Sequence, residues 1–187
     1  MARAVWYTAP AKVELRADAL PAPGPDDVIV RTRYSGLSRG TERLVHLGSV
    51  PPSEWQRMCA PHQSGAFPFP VKYGYSAAGI IEQGPAERIG QSVFGLFPHQ
   101  DIFVAHPDDL IALPPAVPHK RATLAANMET ALTAIWDAGA APGDQIVVIG
   151  AGVVGLLTAF IARRIAGTQV TLVDTVPERS TIADALG

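Results

Sequence analysis

The chain carries little charge and no marked excess of either sign. Its 187 residues include 15 Lys and Arg and 17 Asp and Glu, which gives a formal net charge of −2. The basic residues are scattered, and no run of Lys and Arg is longer than a pair, such as Lys120-Arg121. Because nucleic-acid phosphates are bound by clustered Lys and Arg, this balance argues against a nucleic-acid partner.

Cysteine is almost absent, and so are the features of a signal peptide. Cys59 is the single cysteine, so no internal disulfide is possible and a reducing compartment is expected. The first residues show neither an apolar core nor a cleavage site. Together these absences predict a cytoplasmic protein.

The sequence has one long uncharged run, residues 146–162, which must be weighed as a membrane span. It is shorter than the roughly 20 residues that a spanning helix needs, and three glycines lie in its first half. Its opening is β-branched, as is typical of a buried strand. The run therefore predicts a buried strand followed by a buried helix, and no membrane partner.

Residues 1–118 hold most of the 17 prolines and contain short strand-like runs separated by turns. Many short strands at this spacing suggest a small barrel or sandwich. One helical turn is predicted near 53–58. The runs predicted as strands are 3–7, 13–16, 28–34, 77–82, 92–97 and 102–104.

From residue 119 onward the pattern changes to alternating helices and strands. We predict a helix over 122–138, a strand over 146–149, a helix over 153–165, a strand over 170–173 and a helix start at Pro177. A strand–helix–strand unit of about thirty residues is the crossover unit of a parallel sheet. The fold class is therefore mixed, with a β-rich domain over 1–118 and the start of an α/β domain over 119–187.

The strongest chemical signal is the run Gly150-Ala151-Gly152-Val153-Val154-Gly155 between the predicted strand and helix. In that context its spacing is the dinucleotide-binding fingerprint. Gly150 would allow the tight turn, Gly152 a close approach to the diphosphate, and Gly155 close packing of helix on strand. The amides of Val153 and Val154 lie at the positive end of the helix, which favours phosphate.

The second part of the fingerprint is Asp174, which ends the next predicted strand nineteen residues after Gly155. An acid about 20 residues on binds the ribose hydroxyls and repels a 2′-phosphate, so NAD is favoured over NADP. Arg179 lies five residues after Asp174, where its positive charge would weaken the preference for NAD over NADP. It is also a candidate cofactor contact. The alternative is a glycine-rich turn followed by a surface aspartate.

The whole chain resembles the medium-chain dehydrogenase/reductase superfamily, which includes zinc alcohol dehydrogenases and zinc-free quinone reductases. The segments that carry the resemblance, besides the glycine run, are 26–38, 69–79 and 127–132. Ser38-Arg-Gly-Thr-Glu42 and the Pro51-Pro52 segment look most like the bacteriochlorophyllide dehydrogenase branch. The resemblance implies a GroES-like catalytic domain over 1–118, a Rossmann domain from 119, and hydride transfer to or from an alcohol, a ketone or an activated double bond.

The resemblance also shows where this sequence departs from the family. The three catalytic zinc ligands of the family fall here at Ser38, at Tyr75 and near Ala126 or Asn127. Hydroxyl, phenol and amide groups are poor substitutes for thiolate and imidazole around Zn²⁺. Cys59 and His62 have ligand-like spacing but form only half a site. We expect no bound zinc.

Without zinc, side-chain donors must stabilise charge on the reacting oxygen. We predict Tyr75, Ser38 and Thr41 as catalytic residues. Arg39, as a cation, is predicted to contact the diphosphate, and by the resemblance Thr130 contacts the nicotinamide. The alternatives are that Tyr75 is a core aromatic and that Ser38 and Thr41 cap a helix starting near Arg39.

Some predictions concern the protein as a whole. A dinucleotide fold has six parallel strands and only two are legible here, so we expect the chain to be part of a longer protein that is inactive as this piece alone. We predict a small-molecule substrate, and a homodimer is a possible assembly. His99, which could face the cleft, and Glu129, in a mostly apolar helix, are also available. The competing hypotheses are a non-catalytic NAD-binding or structural module and a GroES-like interaction module.

Overall fold

A computed structural model describes residues 1–187, which divide into two compact units, Met1–Leu124 and Ala125–Gly187. The predicted boundary at 118/119 precedes this division. The short helix α2 (His119–Ala122) packs on strands of the first unit, and the Ser76 hydroxyl donates to the Thr123 carbonyl oxygen at 2.6 Å. These contacts attach residues 119–124 to the first unit.

The first unit is built from antiparallel strands, as its short apolar runs and frequent turns predict. The six predicted strands are all present, as β1, β2, β3, β6, β7 and β8, and the predicted helical turn is a 3-10 turn at Pro52–Glu54. The nine strands are β1 (Ala2–Ala9), β2 (Lys12–Asp18), β3 (Val28–Ser35), β4 (Ser64–Gly65), β5 (Val71–Lys72), β6 (Ala77–Gln83), β7 (Ser92–Gly95), β8 (Ile102–Ala105) and β9 (Leu110–Ala112). One further helix, α1 (Thr41–Leu47), follows β3.

The strands form two sheets, with the orders β2-β1-β5-β4 and β8-β3-β6-β7-β9. An isolated bridge between Ala4 and Gln100 joins the first sheet to the segment before β8. The five-stranded sheet curls around a buried cluster to which every one of its strands contributes. In β3, for example, Val28 and Val30 point into the cluster because alternate residues of a strand share one face.

A second buried cluster lies between the four-stranded sheet and helix α1. Tyr7 of β1, Val71 of β5 and Val45 of α1 are buried in it, together with Tyr73. It fixes one side of α1 against the sheet, and therefore sets where the first turn of α1 lies relative to β1.

The second unit is a parallel strand–helix–strand unit with flanking helices. Its elements are α3 (Ala125–Asp137), β10 (Gln145–Ile149), α4 (Val153–Ala162), β11 (Gln169–Val173) and α5 (Ser180–Leu186). β10 and β11 pair in parallel register from Gln145 with Gln169 to Ile149 with Val173. The mixed fold class is therefore confirmed in its coarse form, an antiparallel unit followed by a parallel βαβ unit.

The prediction of a buried strand and a buried helix over 146–162 is right in the type of element and wrong in burial. Alternate residues of β10 are exposed, and Ile149 has 86% of its surface accessible. The reason is that α4 covers one face of a two-stranded sheet, and nothing in the chain covers the other. No helix of the structure has the length and apolar character needed to cross a membrane.

Candidate functional site

The first candidate site is the glycine-rich turn that joins β10 to α4. Gly150 follows the last residue of β10 with φ +102°, a backbone conformation that side chains with a Cβ rarely adopt. Gly152 is the N-cap of α4, and no side chain caps that helix. The first amides of α4 therefore remain available to an anion, since they have no acceptor within the helix.

The three glycines differ in what surrounds them. A Cβ added to Gly155 would collide with the carbonyl oxygen of Gly150, so the approach of α4 to the turn requires glycine at that position. A Cβ added to Gly152 would meet nothing within 4 Å. The requirement for glycine at position 155 is therefore internal to the fold, whereas the space beside Gly152 is open to a ligand.

Asp174 lies directly after β11, and its carboxylate is next to the glycine-rich turn. It accepts hydrogen bonds from the amides of Ala151 at 2.6 Å and Val176 at 2.7 Å, and from Nη1 of Arg179 at 2.7 Å. The bonds from Val176, Arg179 and Ala151, in that order of effect, lower the pKa of Asp174 to about 2. The carboxylate is therefore ionised at neutral pH, and its side chain keeps 11% of its surface accessible.

The second candidate site is an open pocket of about 720 Å³ in the first unit. Apolar walls come from Val5, Val13 and Leu37. The polar and charged residues of its lining are Tyr7, Ser35, Ser38, Arg39, Glu42, Arg43, His46 and His99. The pocket is formed where the ends of β1 and β3 meet α1 and the segment that precedes β8.

Glu42, in the first turn of α1, is buried with 4% of its surface accessible. Its Oε1 accepts a hydrogen bond from the Ser38 amide at 2.7 Å. Its Oε2 accepts one from the Tyr7 hydroxyl at 2.9 Å and lies 2.7 Å from Nε2 of His99. An ionised carboxylate can only accept hydrogen bonds, so the contact between Glu42 and His99 assigns a proton to Nε2 of His99.

His99 is also buried, with 5% of its surface accessible, and it joins Glu42 to a serine. Its Nδ1 lies 2.9 Å from Oγ of Ser35, the last residue of β3, which is exposed. The backbone at His99 is held by β1, because the Val5 amide donates to the His99 carbonyl oxygen at 2.9 Å. The side of the ring is covered by Gly74, whose φ is +128° and where an added Cβ would lie 2.9 Å from Nε2.

The structure brings some of the predicted residues together and separates others. Ser38 and Arg39 line the pocket, whereas Tyr75 and Thr41 do not. Tyr75 packs on the second buried cluster, edge-on to Tyr73 with ring centroids 6.1 Å apart. This packing corresponds to the alternative in which Tyr75 is a core aromatic residue. The catalytic assignment of Tyr75 stays a prediction.

The capping alternative for Ser38 and Thr41 is wrong. Helix α1 begins at Thr41 with Gly40 as N-cap, and no side chain caps it. Thr130 is exposed on α3, where its hydroxyl donates to the Ala126 carbonyl oxygen at 3.0 Å. Glu129 is exposed as well, so it is not the buried acid that an apolar helix suggests.

The residues at the family's zinc-ligand positions do not fit a zinc ion. No group of three or more His, Cys, Asp and Glu side chains is close enough to hold a metal. His62 stacks on Phe97 with ring centroids 4.0 Å apart, and the Cys59 thiol is 3.8 Å from the carbonyl oxygen of Ala60. Cys59 and His62 therefore have other contacts.

Sequence reasoning did not select Glu42, Ser35 or Tyr7, and it left His99 without a role. A usable signal was present in α1, where Glu42 lies three residues before the buried Val45 and so on the same helix face. An acid on the buried face of a helix needs a partner, which points to an unidentified donor. The identity of that donor is not readable from the sequence.

Tyr7 gives a test of this geometry by alkaline titration. Burial, and then the charge of Glu42, raise the pKa of Tyr7 well above its ordinary value of 10.0, and burial likewise raises that of Tyr73. We therefore expect two of the four tyrosines, Tyr7 and Tyr73, to remain protonated well above pH 10. Absorbance of tyrosinate against pH measures this directly.

Stability should follow the same titration. A phenol whose pKa is raised on folding stabilises the fold fully below pH 10, and this contribution is lost as the pH rises above that value. Tyr7→Phe should remove one late-titrating phenol. A single common transition for all four tyrosines would contradict the burial of Tyr7 against Glu42.

Comparison with known proteins agrees with the fold. No family model matches the chain. It is 34% identical over 97 residues to 2-desacetyl-2-hydroxyethyl bacteriochlorophyllide A dehydrogenase of Cereibacter sphaeroides, covering 49% of this chain and 26% of that protein. It is 21% identical over 215 residues to a zinc-type alcohol dehydrogenase-like protein of Escherichia coli, YdjJ, covering 95% of this chain and 58% of that protein.

Solved structures show the same architecture. The quinone oxidoreductase of Thermus thermophilus, also solved with NADPH, superposes with a TM-score of 0.74 at 22% identity, covering 99% of this chain and 57% of that one. An Escherichia coli alcohol dehydrogenase in complex with NADH gives a TM-score of 0.78 at 16% identity, covering 100% and 60%. The chain is similar to oxidoreductases of the medium-chain dehydrogenase/reductase type. The resemblance to this superfamily, including the bacteriochlorophyllide dehydrogenase branch, is thereby confirmed.

The relatives differ from the chain in length. It spans between 26% and 60% of the length of these four proteins. They are oxidoreductases by name, and the two solved complexes hold NADPH and NADH respectively. These names and bound cofactors describe the relatives.

Proposed function

We propose that this medium-chain dehydrogenase/reductase chain carries the diphosphate-binding turn and the substrate-side pocket of an NAD(H)-dependent oxidoreductase of the alcohol dehydrogenase type. In this proposal the first unit is the GroES-like catalytic domain and the second is the start of the Rossmann domain. The observation that carries it is the position of the Asp174 carboxylate beside the glycine-rich turn at the start of α4.

The turn fits a dinucleotide in three respects. Gly152 leaves open space where a diphosphate would approach, and the uncapped amides of Val153 and Val154 begin α4. Gly155 lets the helix start close to the turn. The ionised carboxylate of Asp174 is a hydrogen-bond acceptor for ribose hydroxyls and repels a 2′-phosphate. We therefore propose NAD rather than NADP as the cofactor, with Arg179 limiting the preference.

The reaction is proposed to be hydride transfer to or from a small alcohol, ketone or activated double bond, without a catalytic zinc. A bound nicotinamide supplies the hydride donor or acceptor. The chain's own contribution is to bind the substrate and to move the proton that accompanies the hydride. The pocket that contains Ser35, Ser38 and His99 offers hydroxyl and imidazole groups for that proton. Arg39 and Thr130 remain proposed cofactor contacts, and Thr41 and Tyr75 proposed catalytic residues.

Cofactor selectivity tests this proposal. We expect NADH to bind more tightly than NADPH, and Asp174→Asn to reduce the ratio of the two affinities by about tenfold, or ~1.4 kcal/mol. Asn retains an acceptor oxygen for the Ala151 amide but removes the charge that repels a 2′-phosphate. Fluorescence titration of the full-length protein with each dinucleotide measures the ratio.

Two further variants make the titration decisive. Asp184→Ala removes an exposed carboxylate of the same unit and should leave the ratio unchanged. Asp174→Ala should weaken NADH more than NADPH. If Asp174→Asn and Asp174→Ala leave selectivity as it is in the wild type, the assigned role of Asp174 is refuted. Binding of NADH without turnover of any ketone, enone or quinone would favour a non-catalytic NAD-binding module.

A further inference from the structure

A buried hydrogen-bonded network lies in the first unit and is separate from the glycine-rich turn of the second unit. It runs from the exposed hydroxyl of Ser35, through both ring nitrogens of His99, to the buried carboxylate of Glu42. The Tyr7 hydroxyl and the Ser38 amide also donate hydrogen bonds to that carboxylate. Burying a carboxylate and an imidazole is costly, and a hydrogen-bonded arrangement of this kind is the condition under which they are retained.

The arrangement has a direction. All three residues line the pocket, but Glu42 and His99 are buried, whereas Ser35, at the outer end, is exposed. With the proton of the Glu42 contact on Nε2, a neutral His99 presents Nδ1 as an acceptor to the Ser35 hydroxyl. The serine is therefore placed between a base that it touches and the space that a substrate would occupy.

We propose that Ser35, His99 and Glu42 form the proton relay of the reaction, with Ser35 as the group that contacts the substrate's oxygen. This inference rests on the proposed oxidoreductase function. His99 and Glu42 are positioning residues, since they act through Ser35. An acid-oriented imidazole that activates a hydroxyl is an established chemical arrangement for proton transfer.

The proton step balances as follows for an alcohol. The substrate's hydroxyl proton passes to Oγ of Ser35 while the proton of Ser35 passes to Nδ1 of His99, which becomes an imidazolium facing Glu42. The hydride leaving the same carbon reduces an oxidised nicotinamide dinucleotide, and the alcohol becomes a carbonyl. In the reverse direction the imidazolium returns its proton through Ser35 to the oxygen of the reduced carbonyl.

Other charged groups share the pocket and must be counted in any pH profile. Arg39, Arg43 and His46 line it from α1 and the segment before it, and Tyr7 faces Glu42 from β1. The two arginines stay protonated over the pH range of interest, so they add a constant field. His46 is the one other histidine of this lining, and its replacement by Gln separates its effect on the reaction from that of His99.

The first arm of the test needs no turnover. In ¹⁵N NMR spectra of the full chain labelled at histidine, we expect neutral His99 to carry its proton on Nε2, with Nδ1 accepting a hydrogen bond. Ser35→Ala should shift the Nδ1 resonance of His99 and leave that of His106 unchanged. His106 is the matched control because it is an exposed histidine, 3.4 Å from the Asp108 carboxylate. A proton on Nδ1 of neutral His99, or no effect of Ser35→Ala, would overturn the proposal.

The second arm uses NADH oxidation by the full-length protein, with a panel of ketones, enones and quinones as probes. We expect Ser35→Ala and His99→Gln each to lower kcat at least a hundredfold with KM changed less than threefold. Ser49→Ala and His106→Gln, at exposed positions, should behave as the wild type. Wild-type kcat in Ser35→Ala would refute the relay and leave the oxidoreductase proposal standing. NADH binding without turnover of any probe by the wild type would refute both.

Discussion

Replacing Gly155 by alanine is expected to lower the free energy of unfolding of the second unit by about 3 kcal/mol, the upper part of the range for overpacking a close contact. The reason is steric, because the new Cβ would collide with the carbonyl oxygen of Gly150. That carbonyl belongs to the turn itself and has little freedom to move, since the Gly150 amide donates to the Val173 carbonyl oxygen at 2.7 Å. Helix α4 would have to move away from β10.

The measurement is urea unfolding of the whole chain together with amide hydrogen exchange in β10 and β11. We expect Gly155→Ala to raise exchange rates in these two strands and to leave those of the five-stranded sheet unchanged. A stability equal to that of the wild type would mean that α4 does not approach the turn as described.

Gly152→Ala is the matched control for folding and the sensitive variant for binding. Its added Cβ meets nothing within 4 Å, and its φ of −74° suits any residue, so loss of the glycine N-cap should cost no more than about 1 kcal/mol. A dinucleotide diphosphate resting on the turn would occupy that open space. We therefore expect Gly152→Ala to fold and to bind NADH at least tenfold more weakly. Undiminished NADH affinity would argue against a diphosphate at this position.

The contrast between these glycines shows what local sequence can and cannot predict. The turn, its two strands and its helix are predicted correctly because the glycine spacing and β-branched runs act over neighbouring residues. The exposure of Ile149 is not predicted from the sequence, because the burial of a strand depends on what covers each face of the sheet. The boundary at Leu124 is equally non-local, since it depends on the bond from Ser76 to Thr123.

The pocket in the first unit illustrates the same limit more strongly. His99 is 57 residues from Glu42 and 64 from Ser35 along the chain, and Tyr7 is 35 residues from Glu42. They meet because β1, β3 and α1 are brought together by two antiparallel sheets. Strands of two residues, such as β4 and β5, fix part of that packing and have no recognisable sequence pattern. Residue types alone therefore indicate a buried acid in α1 but not its partners.

Replacing Glu42 by alanine is expected to produce the largest loss of stability in the first unit, about 3 to 5 kcal/mol, which is the usual cost of removing one member of a buried pair. The substitution leaves Nε2 of His99 and the Tyr7 hydroxyl buried without an acceptor, and it also removes the acceptor of the Ser38 amide. Unpaired buried donors account for most of this cost, since each loses its hydration without a replacement.

Denaturant unfolding distinguishes this loss from a surface effect. Glu82→Ala is the matched control, because Glu82 pairs with Arg31 at 3.1 Å on the exposed side of β6 and β3, and its removal should cost less than about 1 kcal/mol. A double-mutant cycle with His99→Ala should show strong coupling, since His99 has already lost its partner once Glu42 is gone. Additive effects of Glu42→Ala and His99→Ala would mean that the two side chains do not share a proton-bearing contact, and would remove the physical basis for a relay that ends at Glu42.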